Sequence, residues 1–364
     1  MNGRLAAMSG VRTIEIREYE VPAPQPGQVL MRVSMANICG SDIHMWEGKH
    51  IFRNHVMGHE MAGVIESLGD GVTTDSAGSP VQVGDRVVPV YYLTCQRCEA
   101  CTAGLFNICV NGSTFQGAPA AEYPHFTGGF ATHYVIQPNQ YFYKTPDAVA
   151  DVVAASANCG FAQVLSALDQ CGPLTDRVVA IQGAGGLGLY ASAITSVMGG
   201  RPIVIDSVAS RLEEARRFGA DTVINMAEVT DQAARAELIR ARTGQYPDLV
   251  VDVTGVPAAL DEGIRLARLG GTVLELGSVS VAEDQTVTTL PGLITRKCLT
   301  IRGILRYQPW YLARALQFLN RYASRFPFGE LTDRFYRLDE TQVALERAAN
   351  KEVARAVIEP NRAS

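Results

Sequence analysis

Six of the eight cysteines fall into two groups whose spacing differs. The first group lies within one loop and has the pattern C-x2-C-x2-C-x7-C. Its members are Cys95, Cys98, Cys101 and Cys109. Four thiolates this close in sequence can saturate a tetrahedral Zn²⁺ at about 2.3 Å per bond and leave no position for a substrate. The spacing therefore predicts a structural zinc site, with unmetallated loop thiols as the alternative.

The second group is dispersed along the chain. Cys39 lies in ICGSDIH, His59 in GHE and Cys159 in NCGFA, so only the fold can bring them together. Three protein ligands leave the fourth zinc position open to water or substrate, which is typical of a catalytic site. The alternatives are a small buried hydrophobe for Cys159 and a packed core histidine for His59.

Composition limits the class of protein. The 364 residues, 47 % of them hydrophobic, can supply two cores. The net charge of −5 and the lack of a long basic run argue against a nucleic-acid partner. The first residues lack a signal-peptide pattern and no run of about 18 apolar residues occurs, so we expect a cytoplasmic protein without a membrane segment. Thiols stay available as metal ligands in that compartment.

Two patterns divide the chain. Up to about residue 150, short β-type runs are interrupted by turn residues, which predicts an irregular β domain. From about residue 160, apolar strands alternate with helical patterns, which predicts a parallel sheet covered on both faces. Helix-like runs and a last apolar run follow residue 304. The expected fold class is α/β.

A glycine motif follows the strand-like run RVVAIQG and precedes a helical pattern. In that context it predicts a dinucleotide site in which Gly183 makes the turn, Gly185 admits the pyrophosphate and Gly188 lets helix and strand pack closely. The candidate cofactor-binding residues of the motif are Gly183, Gly185, Gly186, Leu187 and Gly188. A plain glycine-rich turn is the alternative.

Asp206 ends the next strand-like run, about twenty residues further on. A carboxylate there would bind the adenosine ribose hydroxyls and repel a 2′-phosphate, so NAD is favoured over NADP. Arg211 either covers the adenosine ribose or is a surface helix residue. A solvated strand-end carboxylate is the alternative for Asp206.

Together these residues resemble the zinc-containing medium-chain dehydrogenases, typified by alcohol, polyol and threonine dehydrogenases. The segment GHE-x2-G-x5-G-x2-V, from Gly58 to Val72, matches the zinc signature of that family at every defined position. ICGSDIH, the cysteine lobe, GGFA and the glycine motif follow in the family's order. The resemblance implies a GroES-like catalytic domain of residues 1–152 and 304–364, interrupted by a Rossmann domain of residues 153–303.

By position, the resemblance assigns Cys39, His59 and Cys159 to the catalytic zinc. Sorbitol and threonine dehydrogenases carry a glutamate where Cys159 stands, so this third ligand is similar to that of alcohol dehydrogenases. Glu60 corresponds to a carboxylate near the metal that assists ligand exchange, and Asp42 to the acceptor that orients His59.

Three further residues match family positions. Ser41 and His44 resemble a relay that carries the hydroxyl proton of the substrate to the surface. The alternatives are a helix-capping turn residue for Ser41 and an exposed loop histidine for His44. Arg355 matches an arginine that binds the cofactor phosphate, with an exposed strand-end charge as its alternative.

The function predicted from these features is a zinc-dependent, NAD-linked oxidoreductase that interconverts an alcohol, secondary or polyhydroxylated, with its carbonyl. We expect two Zn²⁺ per chain, one catalytic and one structural, and a homodimer or homotetramer. Two other hypotheses remain open: a zinc-independent, NADPH-linked reductase of activated alkenes, and a non-enzymatic zinc-braced binding protein.

Other chemically notable residues have weaker patterns. We expect Cys171 and Cys298 in the core, and His50, His55, His125 and His133 at the surface or in loops. Trp46 and Phe115 either face the substrate or pack in the interior. No role is assigned to Thr132.

Overall fold

The computed structural model describes residues 1–49, 55–112, 117–278, 285–332, 334–353 and 355–362. The chain divides into two compact units. The first contains Met1–Ala162 and Gln308–Ser364, and the second contains Gln163–Tyr307.

The first unit begins with a β-rich segment. An antiparallel hairpin opens the chain, and its second strand alternates exposed and half-buried residues, as the sequence TIEIREYE requires of a strand with one solvated face. The elements of the segment are β1 (Asn2–Gly10), β2 (Thr13–Glu20), β3 (Val29–Asn37), α1 (Gly40–Trp46), β4 (Glu60–Leu68), β5 (Arg86–Pro89), α2 (Glu99–Thr102), β6 (His133–Ile136), β7 (Phe142–Lys144) and α3 (Asp151–Ser156), after which α4 (Ala162–Asp169) begins at the unit boundary.

The second unit alternates strands with helices. Its elements are β8 (Val178–Gln182), α5 (Gly186–Val197), β9 (Arg201–Asp206), α6 (Ala209–Arg217), β10 (Thr222–Asn225), α7 (Gln232–Thr243), β11 (Leu249–Asp252), α8 (Pro257–Leu266), β12 (Thr272–Glu275), α9 (Pro291–Lys297) and β13 (Thr300–Gly303). Within the described residues the strands form one parallel sheet of six in the order β10-β9-β8-β11-β12-β13. The order reverses between β8 and β11, and in such sheets ligands bind outside the carboxyl ends of the strands at that point.

The last part of the chain returns to the first unit. It contains α10 (Tyr311–Tyr322), β14 (Arg334–Arg337), α11 (Thr341–Ala349) and β15 (Ala356–Glu359). β15 pairs antiparallel with β3 and parallel with β14, so the final apolar run of the sequence completes the sheet begun near the N-terminus. The described sheet runs β14-β15-β3-β4-β5-β7, with β6 on β3. The α/β fold class with a GroES-like domain and a Rossmann domain is confirmed.

A π-helical turn, Ala157–Phe161, joins α3 to α4. The backbone N–H of Ala162 donates to the carbonyl of Ala157, five residues earlier. The continuous helical run Asp151–Asp169 is apolar and long enough to cross a membrane by length and composition, but 78 % of its apolar window is buried inside the protein. We therefore interpret it as a core helix.

Candidate functional site

The dispersed ligand group comes together inside the first unit. The side-chain donor atoms of Cys39, His59, Glu60 and Cys159 lie within 4.8 Å of one another. Cys39 precedes α1, Glu60 begins β4 and Cys159 occupies the middle of the π-helical turn. Two sulfurs, one imidazole nitrogen and one carboxylate oxygen are donors that Zn²⁺ accepts in a four-coordinate site. The cluster therefore fits a zinc ion chemically.

Asp42 connects two of these residues. Its Oδ2 accepts the backbone N–H of Cys39 at 2.9 Å, and its Oδ1 lies 3.1 Å from Nδ1 of His59. Asp42 is fully buried and stands at the third position of α1, where a carboxylate completes a capping box. One carboxylate thus fixes the start of the helix and turns Nε2 of His59 toward the cluster.

Hydrogen bonds and burial shift the pKa values of the side chains in this cluster in different directions. A hydrogen bond from Cys159 lowers the pKa of Cys39 well below its ordinary value, and the same bond together with burial raises the pKa of Cys159 well above it. Burial lowers the pKa of His59, but the charge of Asp42 and the hydrogen bond to it prevail and raise that pKa well above its usual range. Cys39 therefore favours the thiolate and Cys159 the thiol, and a bound divalent cation would favour the thiolate at both.

Glu60 is buried against Arg355, whose guanidinium makes an ion pair with the Glu60 carboxylate. Burial raises the pKa of Glu60 to about 8, against the opposing charge of Arg355. The two residues are 295 positions apart and meet because β15 returns beside β3. The structure thus places Arg355 against a carboxylate of the candidate zinc-binding residues.

The two relay candidates lie on α1. Oγ of Ser41 is 3.5 Å from Nε2 of His59, beside the ligand cluster. His44 is exposed and lies in the last turn of the same helix. Residues three apart share one face of a helix, so both side chains project from the same side of α1.

Two contacts of His59 were absent from the sequence interpretation. Nδ2 of Asn158 donates to the His59 carbonyl at 2.8 Å and to the Pro89 carbonyl at 3.1 Å. The ring of Tyr91 lies 5.2 Å from the imidazole, centroid to centroid. A buried amide in the apolar run AASANCGFA is a signal for Asn158, because a polar group in a core helix needs partners. The pattern around Tyr91 carries no comparable signal.

We expect Asp42→Asn to weaken zinc binding and turnover together by about 10- to 100-fold, the usual loss when the partner of a metal-binding histidine is changed. The amide removes one acceptor, so it cannot serve both Cys39 N–H and His59 Nδ1–H. Zinc titration and initial rates measure the two effects. Asp70→Asn, an exposed change of the same kind, is the control, and equal effects in both variants would contradict the prediction.

The clustered cysteines also meet, with all four sulfurs within 4.8 Å of one another. The backbone N–H of Cys95 donates to Sγ of Cys109 at 3.3 Å. Hydrogen bonds from the Arg97 backbone and the Asn111 side chain lower the pKa of Cys95 to about 6, whereas burial raises the pKa of Cys101 to about 12. The low pKa of Cys95 favours its thiolate and the high pKa of Cys101 favours its thiol, whereas a bound Zn²⁺ would ionise all four sulfurs.

The glycine motif lies at the carboxyl end of β8 in the second unit. Gly183 has φ of +101°, a conformation that side chains rarely adopt. A Cβ on Gly188 would lie 1.9 Å from the Gly183 carbonyl oxygen, so helix and turn approach closely there. At Gly185 and Gly186 a Cβ would meet only open space, and Leu187 is half-buried behind them. This open helix start is suited to a pyrophosphate.

Asp206 lies beside that turn at the end of β9. Its Oδ2 accepts the N–H of Ala184 at 2.7 Å and its Oδ1 accepts the N–H of Val208 at 2.8 Å. Each oxygen keeps a second lone pair. The carboxylate therefore shapes the turn in addition to any contact with a ribose. Arg211 is exposed on α6.

Several secondary expectations are corrected. His55 and His133 are both buried, so neither lies at the surface. His133 begins β6, with its ring nitrogens 2.9 Å from Oγ1 of Thr132 and 3.2 Å from Glu66, whereas His55 lies outside the named strands, in agreement with the loop alternative. Cys298 is exposed, because it follows the last residue of α9 and precedes β13, and Cys171 is only half-buried. Neither cysteine is therefore fully buried in the core.

Trp46 packs in the hydrophobic core of the first unit, with Arg12 over its ring. Packing is thus its role in the structure. Phe115 and His50 lie outside the described residues.

Comparison with known proteins agrees with these features. Residues 25–147 match the alcohol dehydrogenase GroES-like domain, and residues 186–321 match the zinc-binding dehydrogenase family. The 5-exo-hydroxycamphor dehydrogenase of Pseudomonas putida is 33 % identical over 348 residues, covering 94 % of each chain. Sorbitol dehydrogenase of Bacillus subtilis is 30 % identical and covers 99 % of this chain and 98 % of its own.

An alcohol dehydrogenase structure from Thermotoga maritima has a TM-score of 0.93 at 27 % identity, covering 99 % of this chain and 100 % of the other. The chain belongs to the zinc-containing medium-chain dehydrogenase family. Within that family it is an alcohol-type dehydrogenase, so the family and the enzyme class predicted from the sequence are confirmed.

Proposed function

We propose that the enzyme oxidises a secondary or polyhydroxylated alcohol to its carbonyl with NAD, using one catalytic and one structural Zn²⁺ per chain. The single observation that carries the proposal is the convergence of Cys39, His59, Glu60 and Cys159 on one point of the first unit. A zinc ion held there by Cys39, His59 and Cys159 would act as a Lewis acid that lowers the pKa of an alcohol.

The side chains around that point then have distinct tasks. Asp42 holds the tautomer and ring orientation of His59. Ser41, beside Nε2 of His59, would accept the hydroxyl proton of the substrate while releasing its own hydroxyl proton toward exposed His44. The Glu60 carboxylate would add negative charge to the cluster, and the guanidinium of Arg355, which is paired with it, would offset that charge.

Nucleotide binding belongs to the second unit. The backbone at Gly183, Gly185, Gly186 and Leu187 would hold the pyrophosphate, and Gly188 keeps α5 close enough to present its N-terminus. Asp206 favours NAD, because its charge would repel a 2′-phosphate, and exposed Arg211 would cover the adenosine ribose.

The substrate class draws on two relatives. Hydroxycamphor carries a secondary alcohol on a ring and sorbitol is a polyol, as their names state. Cys159, where the sequence resembles alcohol dehydrogenases, supports a sulfur-rich metal site. From the resemblance alone we also propose a cytoplasmic homodimer or homotetramer, and light scattering coupled to size exclusion measures that assembly.

We expect Asp206→Asn to raise the ratio of NADP to NAD turnover roughly tenfold, because a neutral amide no longer repels the 2′-phosphate. Asparagine keeps one oxygen acceptor for the turn, which alanine would remove. The ratio of kcat/KM for the two cofactors is the measurement. Asp221→Asn, a change at a carboxylate paired with Arg201, is the control, and an unchanged ratio in Asp206→Asn would refute the cofactor contact.

The function is tested by following NADH formation with a panel of cyclic secondary alcohols, linear secondary alcohols and polyols, with zinc measured on the same sample. We expect turnover on the secondary alcohols and about two zinc ions per chain. Activity that survives complete zinc removal would favour an NADPH-linked alkene reductase. Absence of NADH formation across the panel would favour a non-enzymatic binding protein.

A further inference from the structure

Two acidic side chains lie next to each other at the carboxyl ends of neighbouring strands. Asp252 ends β11 and Glu275 ends β12, and they are direct partners in the parallel register. Asp252 is fully buried and Glu275 is half-buried. Side chains at paired positions point to the same face of a sheet. Two ionised carboxylates in such a place are costly unless they are neutralised or share a proton.

The hydrogen bonds of the described residues engage one oxygen of each carboxyl group. Oδ1 of Asp252 accepts from the Thr254 N–H at 2.8 Å and the Thr254 hydroxyl at 2.7 Å, and Oε1 of Glu275 accepts from the Ser278 N–H at 2.8 Å. The buried oxygens Oδ2 of Asp252 and Oε2 of Glu275 accept from no donor in the described part of the chain. One proton between the two carboxyl groups satisfies both oxygens.

The protonation of the pair agrees with this arrangement. Burial, with the neighbouring charge of Asp252, raises the pKa of Glu275 to about 7, and burial raises the pKa of Asp252. Among the described residues, Glu262 of α8 is a further charge that raises the pKa of Asp252, and it is itself paired with Arg235 of α7 at 2.6 Å. The register partners on the flanking strands, Gln182 of β8 and Gly303 of β13, carry no charge.

The pair is connected to the nucleotide turn by tight packing. Thr254, held by Asp252, has its Cγ2 atom 3.1 Å from the position of a Cβ on Gly183. A Cβ on Gly277, two residues after Glu275, would lie 2.5 Å from the Gly255 nitrogen and 2.6 Å from the Thr254 nitrogen. The ends of β11 and β12 and the Gly183 turn are therefore closely packed, and we expect a shift of one to displace the others.

We propose that Asp252 and Glu275 form a proton-sharing pair that positions the Gly183 turn, so that loss of the shared proton weakens nucleotide binding. The inference rests on the proposed function, because it assumes that the Gly183 turn binds a nucleotide. When the proton leaves Glu275 for solvent, the charge of the pair changes from −1 to −2. The two carboxylates then repel each other and the diphosphate of the nucleotide.

The direction of the pH effect on nucleotide affinity follows from the pH range in which the pair keeps its shared proton. The pair keeps its proton below about pH 7 and loses it above that value. Nucleotide affinity is therefore highest on the acid side of pH 7 and decreases as the pH rises through it. Both residues act as positioning residues, since neither is required to contact the nucleotide.

The test measures the Kd of ADP-ribose for the zinc-loaded enzyme by calorimetry between about pH 5.5 and 8.5. ADP-ribose lacks the nicotinamide, so it reports the Gly183 turn and the adenosine contacts without the nicotinamide half of the cofactor. The wild-type protein should bind roughly three- to tenfold more weakly at the alkaline end, since one pKa unit of linkage corresponds to a tenfold change. Glu275→Gln should remove this pH dependence, and Glu20→Gln, an exposed change in the other unit, should keep it. A wild-type affinity that does not vary with pH, or a slope retained in Glu275→Gln, would overturn the proposal.

A second measurement needs no variant, in case Glu275→Gln does not fold. Calorimetry of the wild-type protein near pH 7, in two buffers of different ionisation enthalpy, gives the number of protons taken up with ADP-ribose. We expect a fractional uptake, and zero uptake or a net release would overturn the proposal. If neither ADP-ribose nor NADH binds at any pH, the proposed function itself fails.

Discussion

Cys39→Ser is expected to reduce turnover by about a thousandfold or more while nucleotide binding stays within about threefold of the wild-type value. Cys39 supplies one of the two sulfur donors of the cluster and is hydrogen-bonded to Cys159. Replacing its sulfur therefore breaks the donor set. Loss of Lewis-acid stabilisation of several kcal/mol corresponds to a rate loss of this size. Gly183 and Asp206, in contrast, belong to the second unit.

Three measurements on one sample check this prediction: the initial rate, the zinc content and NADH fluorescence on binding. The expected zinc content is about one ion per chain, because the four-cysteine site is unchanged. Cys298→Ser, which makes the same chemical change at an exposed position outside both clusters, should retain rate and zinc. Retained turnover in Cys39→Ser would reject the catalytic zinc assignment.

Cys101→Ser is expected to lower the thermal midpoint by roughly 5–10 °C and to remove the structural zinc, with a smaller effect on chemistry. Cys101 is buried in α2, and its sulfur is close to three others that a cation would join. The same lobe is tied to the returning segment, because Gln308 accepts the Phe106 N–H at 3.2 Å and donates to Asn107 at 2.9 Å. Loss of the lobe therefore also loosens the chain before α10.

Differential scanning calorimetry and zinc analysis measure these effects, with the rate normalised to folded protein. The informative comparison is with Cys39→Ser, which should lose rate but little stability, whereas Cys101→Ser should lose stability but little normalised rate. A stable Cys101→Ser variant that is inactive would contradict a structural role for this lobe.

The parts of the molecule that could be predicted from sequence are those that residues close together in the chain specify by themselves. The cysteine quartet and the Gly183 motif are each contained in one short segment, and alternating strands and helices specified the parallel sheet. The family resemblance supplied the return of the last sixty or so residues, which strand periodicity could not reveal because β15 pairs with β3 across the whole chain.

The parts that were not predicted depend on contacts between distant residues. Arg355 is paired with Glu60, a partner that no local pattern specifies, and its binding to the cofactor phosphate stays a prediction. Likewise, Asn158 binds the carbonyl of His59, 99 positions away. Asp206 was placed correctly at the end of a strand, but its bonds to two backbone N–H groups became visible only with the turn in three dimensions.

The π-helical turn at Cys159 has a consequence for insertions and deletions. A π-helical turn contains one residue more than an α-helical turn, and each residue of an α-helix advances the angle by about 100°. Deleting Gly160 would therefore remove the extra residue and let the run Asp151–Asp169 close into a regular α-helix. Cys159 would then lose the backbone position that brings its sulfur to Cys39 and His59. The extra residue of this single turn makes the length of the segment, as well as its residue types, a requirement for bringing Cys159 to Cys39 and His59.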